Sequence, residues 1–308
     1  MGGKPSLNNQ LRTAVLNIGL KYSKTRDQYV RDIAKYGDFC KREYGCRNAK
    51  DCMNPEYAQH YADYLHENGY AASTIHTYLA PVCRLLGIKM SEIEKPIRYV
   101  AEYKRSRGTP AVDSRDDAQP WASTRLYSFG MVVGIRRNEY KELRGRNFKQ
   151  DESGYWCVEV EKGKGGKYHL QRIAPEYVEF VRGYFEGLKP DDYVFTLDEM
   201  NNKIDLHALR ADLAKEQYER YVKMFESDET ARRRVYDEIC RRWKLYNSKR
   251  VPSWKEVNRP YYLRGKNRDK AIAEERPVKL DRLALLAVSV FHLSHWRTDD
   301  TVCSYVLA

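Results

Sequence analysis

Apolar positions recur at helical spacing through the first ninety residues. Residues 7–22 (Leu11, Val15, Leu16, Ile18, Leu20) predict a short helix. Residues 24–44 open on Lys24-Thr25-Arg26-Asp27, an N-cap candidate, and set Tyr29, Val30, Ile33, Tyr36 and Phe39 on one stripe. Residues 54–68 (Tyr57, Tyr61, Tyr64, Leu65) and 72–87 (Ile75, Leu79, Val82, Leu85, Leu86) predict two more helices, stopped by Gly69 and Gly87. This is an all-helical bundle, placed at 1–100. Residues 88–120 turn polar and hold Pro96, Gly108, Pro110 and Pro120, which puts a linker at 101–120.

A second domain is expected over 121–308. It opens with an apolar helix over 121–134, after which Gly134 allows a tight bend and Arg136 begins a new helix, with Glu139 one turn on to hold a neighbouring backbone group or arginine. Over 155–173 the period changes to two: Trp156, Val158 and Val160 share a face, Lys162-Gly163-Lys164-Gly165-Gly166-Lys167 forms a hairpin tip, and a strand returns to Ile173. A helix follows from Pro175, then a short strand at Asp192–Phe195. His207 and Arg210 share a helix face at i,i+3. Residues 211–226 and 228–246 read as amphipathic helices, part of a helical segment over 211–282.

Charge narrows the partners. The chain of 308 residues has a net charge of +12, and residues 211–282 hold 20 Lys and Arg against 13 Asp and Glu. An excess of that size favours a polyanion. No apolar run is long enough to span a bilayer and no signal peptide is present, so a cytoplasmic, nucleoid-associated protein is expected. Met1-Gly2-Gly3-Lys4-Pro5-Ser6 fits the loose myristoylation pattern by coincidence. Seven cysteines read as free thiols. Cys40, Cys46 and Cys52 with His60 lack the paired CxxC spacing of structural zinc, and no metal is assigned. The glycine–lysine hairpin lacks the G-x-x-x-x-G-K-[ST] form, so nucleotide hydrolysis is not expected.

Four short boxes in this order resemble the tyrosine recombinases, a family that shares its catalytic domain with type IB topoisomerases. They are Gly134-Ile135-Arg136 with Glu139, the hairpin lysines, His207-Ala208-Leu209-Arg210, and Leu293-Ser294-His295 followed by Tyr305. Residues 24–87 are similar to the family's helical core-binding domain. The resemblance implies an α+β, mostly α fold: a SAM-like helical domain and a catalytic domain with a small antiparallel sheet, together a two-domain clamp on duplex DNA. It implies a site-specific recombinase or integrase cutting through a 3′-phosphotyrosyl intermediate without cofactor, and the long 211–282 segment points to a mobile element. The enzyme would act as a homo-tetramer on paired sites and be a monomer or dimer off DNA. Alternatives are a topoisomerase-like nicking-closing enzyme and a DNA-binding protein without catalysis.

The roles implied are Tyr305 as nucleophile, His207 as assisting base, Arg136 and Arg210 as phosphate clamps, Lys164 as proton donor and His295 as a phosphate ligand. His292 competes with His295, and Glu139 orients. Lys162, Lys167, Lys24, Arg26, Arg264 and Lys266 are the candidate DNA contacts. The chain departs from the family pattern in three ways. The step from His295 to Tyr305 is one residue longer than the family pattern, the 85 positions from Arg210 to His295 are far more than the family usually needs, and relatives often continue past the tyrosine with a tail that docks on a neighbouring subunit. No arm-binding domain is expected before residue 24.

Overall fold

A computed structural model of the protein describes residues 5–20, 23–98, 124–164, 166–200 and 204–306. The 101–120 linker and Met1–Lys4 lie outside these. The chain divides into two compact units, Met1–Tyr99 and Val100–Ala308.

The first unit is built from α1 (Leu7–Leu16), α2 (Ser23–Tyr44), α3 (Pro55–Glu67) and α4 (Ala72–Leu86). The side chains of Ser6 and Asn54 cap α1 and α3 by accepting from free amides of the first turn. Helix α1 stops at Leu16, shorter than the 7–22 pattern. The apolar stripes meet in one core containing Leu11, Ile33, Tyr36, Phe39, Tyr61 and Leu79. Buried Tyr36 satisfies its hydroxyl on the Cys52 carbonyl at 2.9 Å. Cys40, Cys46 and Cys52 belong to that core, while the His60 ring meets the Tyr44 hydroxyl at 2.6 Å. All seven cysteines are free thiols, and among the described residues no His/Cys/Asp/Glu group could hold a metal ion. No described helix is long and apolar enough to cross a membrane.

The second unit begins with α5 (Arg125–Val132) and α6 (Arg137–Tyr140). An antiparallel sheet of β1 (Phe148–Gln150), β2 (Trp156–Val160) and β3 (His169–Arg172) follows, in the order β1-β2-β3, with Val160 opposite His169. Three residues are too few to show alternation, so β1 left no trace in the pattern. Next come α7 (Val178–Arg182) and α8 (Leu197–Met200). Between them, Asp192–Phe195 is not a strand: Tyr193 makes a single bridge to Arg144. Helices α9 (Leu206–Ser227) and α10 (Glu229–Tyr246) lead to α11 (Trp254–Val257), β4 (Tyr261–Tyr262), α12 (Gly265–Ala273) and β5 (Lys279–Leu280), with β4 and β5 paired. The chain then runs through α13 (Arg282–Ala287), a π-helical turn (Val288–His292), α14 (Thr298–Thr301) and a second π-helical turn (Val302–Val306).

The 211–282 segment is not a solvated appendage. Helix α9 runs unbroken from the His207–Arg210 turn into it. Helix α10 sends two buried charges, Glu238 and Arg242, into the body of the unit. Asp151, just after β1, accepts from Arg172 Nε of β3 at 2.6 Å and from Arg242. Arg172 also reaches Glu238 at 2.7 Å, and Arg242 reaches Glu152 at 2.9 Å and the Leu170 carbonyl at 3.1 Å. Both guanidinium groups lie over Phe291, at 3.7 and 5.0 Å from its centroid. This network ties α10 to the sheet that carries the lysine hairpin.

Candidate active site

Helix α9 starts at Leu206 because Asp205 caps it, its carboxylate accepting from the amides of His207 (2.9 Å) and Ala208 (3.1 Å). That start puts His207 and Arg210 on the first turn, facing α5 and the Tyr305 turn. Arg210 is fully buried. Its guanidinium donates to the carbonyls of Gly134 and of Leu293, the latter at 2.6 Å, while its Nε has no partner. Gly134 is needed for this approach rather than for a bend, since it is not in the left-handed region. A Cβ there would sit 3.0 Å from Leu213 and 3.2 Å from Arg210.

Arg136 precedes α6. Its backbone amide donates to Glu139 Oε2 and its side chain to Oε1, both at 2.7 Å, and its second terminal nitrogen meets His295 Nε2 at 2.8 Å. Burial pushes the Glu139 carboxyl up, but His169, Arg136 and Arg210 outweigh it and hold the group below the usual carboxylate range. Gly163 lets the hairpin close over this pair: a Cβ there would lie 3.0 Å from His169 and 3.1 Å from Glu139. Lys164 stands exposed on the turn, close enough for its charge to help depress the pKa of His295.

Tyr305 is buried, with its hydroxyl 3.2 Å from His295 Nε2. Its ring lies 5.3 Å from that of His207, 5.2 Å from that of His295 and 5.4 Å from the Arg210 guanidinium. The turn carrying it is π-helical, a form that takes one more residue per hydrogen-bonded ring than an α-helix. Ser294 and Trp296, on either side of His295, hold φ of 52° and 61°. Side chains in the left-handed region cost about 1–2 kcal/mol each, so strain is concentrated at this histidine. The competing His292 is buried elsewhere, 3.3 Å from the Tyr221 hydroxyl and against the Arg172–Arg242 network.

Arg136, Glu139, His207, Arg210, His295 and Tyr305 therefore form one cluster beside a cleft of about 280 Å³, with Lys164 at its edge. Lys162 and Lys167 are exposed on the same hairpin. Arg264 and Lys266 are exposed at the start of α12 and do not line the cleft. Lys24 and Arg26 are exposed on the first turn of α2 in the other unit.

The sequence reading missed His169. It is buried on β3 with Nε2 3.9 Å from Glu139 and no hydrogen-bond partner on that nitrogen. Its signal was its place: the first residue of the return strand, facing back from the hairpin.

Burial lowers the pKa of His169 to about 4, with Glu139 opposing and the two arginines assisting. Burial, then Arg172 and Arg242, lower His292 to about 3, and burial, then Arg210 and Arg136, lower His295 to about 2. All three are neutral near pH 7, and each folded pKa lies below the unfolded value of about 6.5. As pH falls, the unfolded chain takes up the protons first. Stability is therefore full above about pH 6.5 and is lost below it, at about 1.4 kcal/mol per pH unit per histidine. Glu139 and Asp151, held low, contribute losses only below about pH 4. Unfolding near pH 5 should take up close to three protons at these sites, and His292→Gln should remove about one. Urea midpoints measured from pH 7 to pH 5 check this; a flat profile contradicts it.

No protein-family model matches the chain. Over 214 residues it is 23% identical to a protein of Sinorhizobium fredii (strain NBRC 101917 / NGR234) assigned as an integrase/recombinase. That match covers 67% of this chain and 64% of the relative, so the chain spans less than two thirds of the relative's length. Two solved structures align more loosely. One is the XerA recombinase (17% identity, TM-score 0.24, 68% of this chain and 84% of that one). The other is the XerH site-specific recombinase bound to its difH substrate (11% identity, TM-score 0.39, 97% and 91%). Superpositions this loose do not define the fold, which stands on the elements above.

Proposed function

We infer that this chain is a tyrosine recombinase, a site-specific DNA recombinase that cuts and rejoins duplex DNA through a phosphotyrosyl link. The observation that carries this is the Tyr305 hydroxyl, bonded to His295 within a cluster that holds both Arg136 and Arg210.

The Tyr305 oxygen attacks the phosphorus, the P–O5′ bond breaks, and a 3′-phosphotyrosyl ester forms with release of a 5′-hydroxyl. The 5′-hydroxyl of a second strand reverses the step. The ester conserves the bond energy, so rejoining needs no nucleotide. Arg136 and Arg210 match the charge that develops on the non-bridging oxygens. Burial pulls the Arg210 pKa below its ordinary value, yet a guanidinium keeps its proton inside proteins. Lys164 protonates the leaving oxygen.

Sequence alone favoured His207 as the base. The hydrogen bond favours His295, with His207 packing against the tyrosine ring. In the free enzyme, Arg136 and Tyr305 both donate to the one lone pair of His295 Nε2, and the two guanidinium charges keep that histidine neutral. A DNA phosphate draws Arg136 away and offsets those charges. His295 is then free to take the phenolic proton only when substrate is bound.

The working assembly we propose is a tetramer on two paired sites, acting in the nucleoid for a mobile element. A suicide duplex nicked beside the scissile phosphate tests the reaction. The enzyme should be trapped as a covalent adduct and should join the trapped strand to a second duplex. Adduct without joining would point to a nicking-closing enzyme, and no adduct would point to a DNA-binding protein.

A further inference from the structure

The distal end of α10 packs against the sequence neighbours of two histidines of the proposed site. Trp243 packs edge-on against Trp296, the neighbour of His295, at 5.2 Å, and Tyr246 packs against Tyr168, the neighbour of His169, at 5.3 Å. With Trp243 and Arg242 turned inward, this end turns Arg241, Lys244 and Leu245 out to solvent. From Ile239 to Lys255 the sequence holds six cations and no acid. Two of these are committed elsewhere: Arg242 to the buried network and Arg250 to Glu256 at 2.8 Å. Arg241, Lys244 and Lys249 are exposed and make no ion pair among the described residues. The helix dipole accounts for a cation in the last turn, hence for Lys244, but not for Arg241 or Lys249. Leu245 is 59% exposed on the same surface, leaving an apolar stem among the charges. Through Tyr168 the strip continues into the exposed hairpin lysines Lys162, Lys164 and Lys167.

We propose that this end of α10, with Arg241, Lys244 and Lys249, is a second DNA-backbone contact of the catalytic unit, holding the duplex beside the scissile phosphate. The proposal rests on the DNA-cleaving reading above. It gives the 211–282 segment a task in addition to bracing the sheet. Contacts of this kind act on phosphates, so they add affinity and position without reading sequence.

The test is binding of a labelled mixed-sequence duplex by the full chain across a salt series. Each phosphate contact contributes about 0.9 to the slope of log K against log salt. R241A/K244A/K249A should therefore lower that slope by about two to three, and R241K/K244R/K249R should keep it. A photo-crosslinking residue at Leu245 should attach to the duplex. An unchanged slope in a folded triple-alanine variant overturns the proposal, as does an absent crosslink. If that variant does not fold, the crosslink on the otherwise unaltered chain decides. A wild-type chain that binds no duplex removes the DNA reading itself, and this proposal with it.

Discussion

Tyr305→Phe should fold as the parent does and form no denaturant-resistant adduct with a nicked duplex. The phenyl ring keeps its packing against His207, His295 and Arg210. What is lost is one hydroxyl and its 3.2 Å hydrogen bond to His295, about 1 kcal/mol of stability. The chemistry loses its only nucleophile, so the yield of adduct should fall below detection while duplex binding persists. Arg136→Ala is the graded companion. Its guanidinium is partly exposed toward the cleft and serves as a donor, so its loss should slow cleavage by about 10²–10³, or 2.7–4 kcal/mol. Arg210→Ala is a poorer probe, because that side chain also satisfies two buried carbonyls. Gel assays of adduct formed against time measure both; an adduct formed by the phenylalanine variant would refute the assignment.

Asp151→Ala should destabilise the catalytic unit by about 3–5 kcal/mol. Although burial pushes its carboxyl up, Arg172 and Arg242 hold it below the usual carboxylate range. Its removal leaves two buried guanidinium groups short of a counter-charge. It also strips the amides of Ser153 and Tyr155 of their acceptor. For a unit of this size the loss corresponds to roughly 10 °C in melting temperature. A melt within a degree or two of the parent would mean that water or the remaining carboxylates, Glu152 and Glu238, compensate. Because Arg172 lies on the strand that begins with His169, the variant should also slow cleavage under conditions where it remains folded.

The helices of the first unit were legible because their stripes are mainly apolar: Ile33, Tyr36 and Phe39 on α2 meet Tyr61 and Leu65 on α3 at the expected faces. The hairpin was legible from a change of period, and the proposed cleft residues from their resemblance to a family. Hidden were features in which a charged residue takes a core position. Glu238 and Arg242 fall on the same face of α10 as Val235, Ile239 and Trp243, so their spacing was a usable signal. A stripe counted only in apolar residues passes over it. The π-helical turns were hidden for another reason: hydrophobic period does not register a single added residue. His169 escaped because a histidine on a strand carries no motif, and only the hairpin's closure sets it against Glu139.

The central claim is that one particular phenol becomes esterified to DNA. The direct measurement is peptide mapping of the adduct trapped on a nicked duplex, by protease digestion and mass spectrometry. With 25 tyrosines in the chain, the result discriminates sharply. The nucleotide remnant should lie on the C-terminal peptide, at Tyr305. A remnant on any other tyrosine, or on a serine, would contradict it.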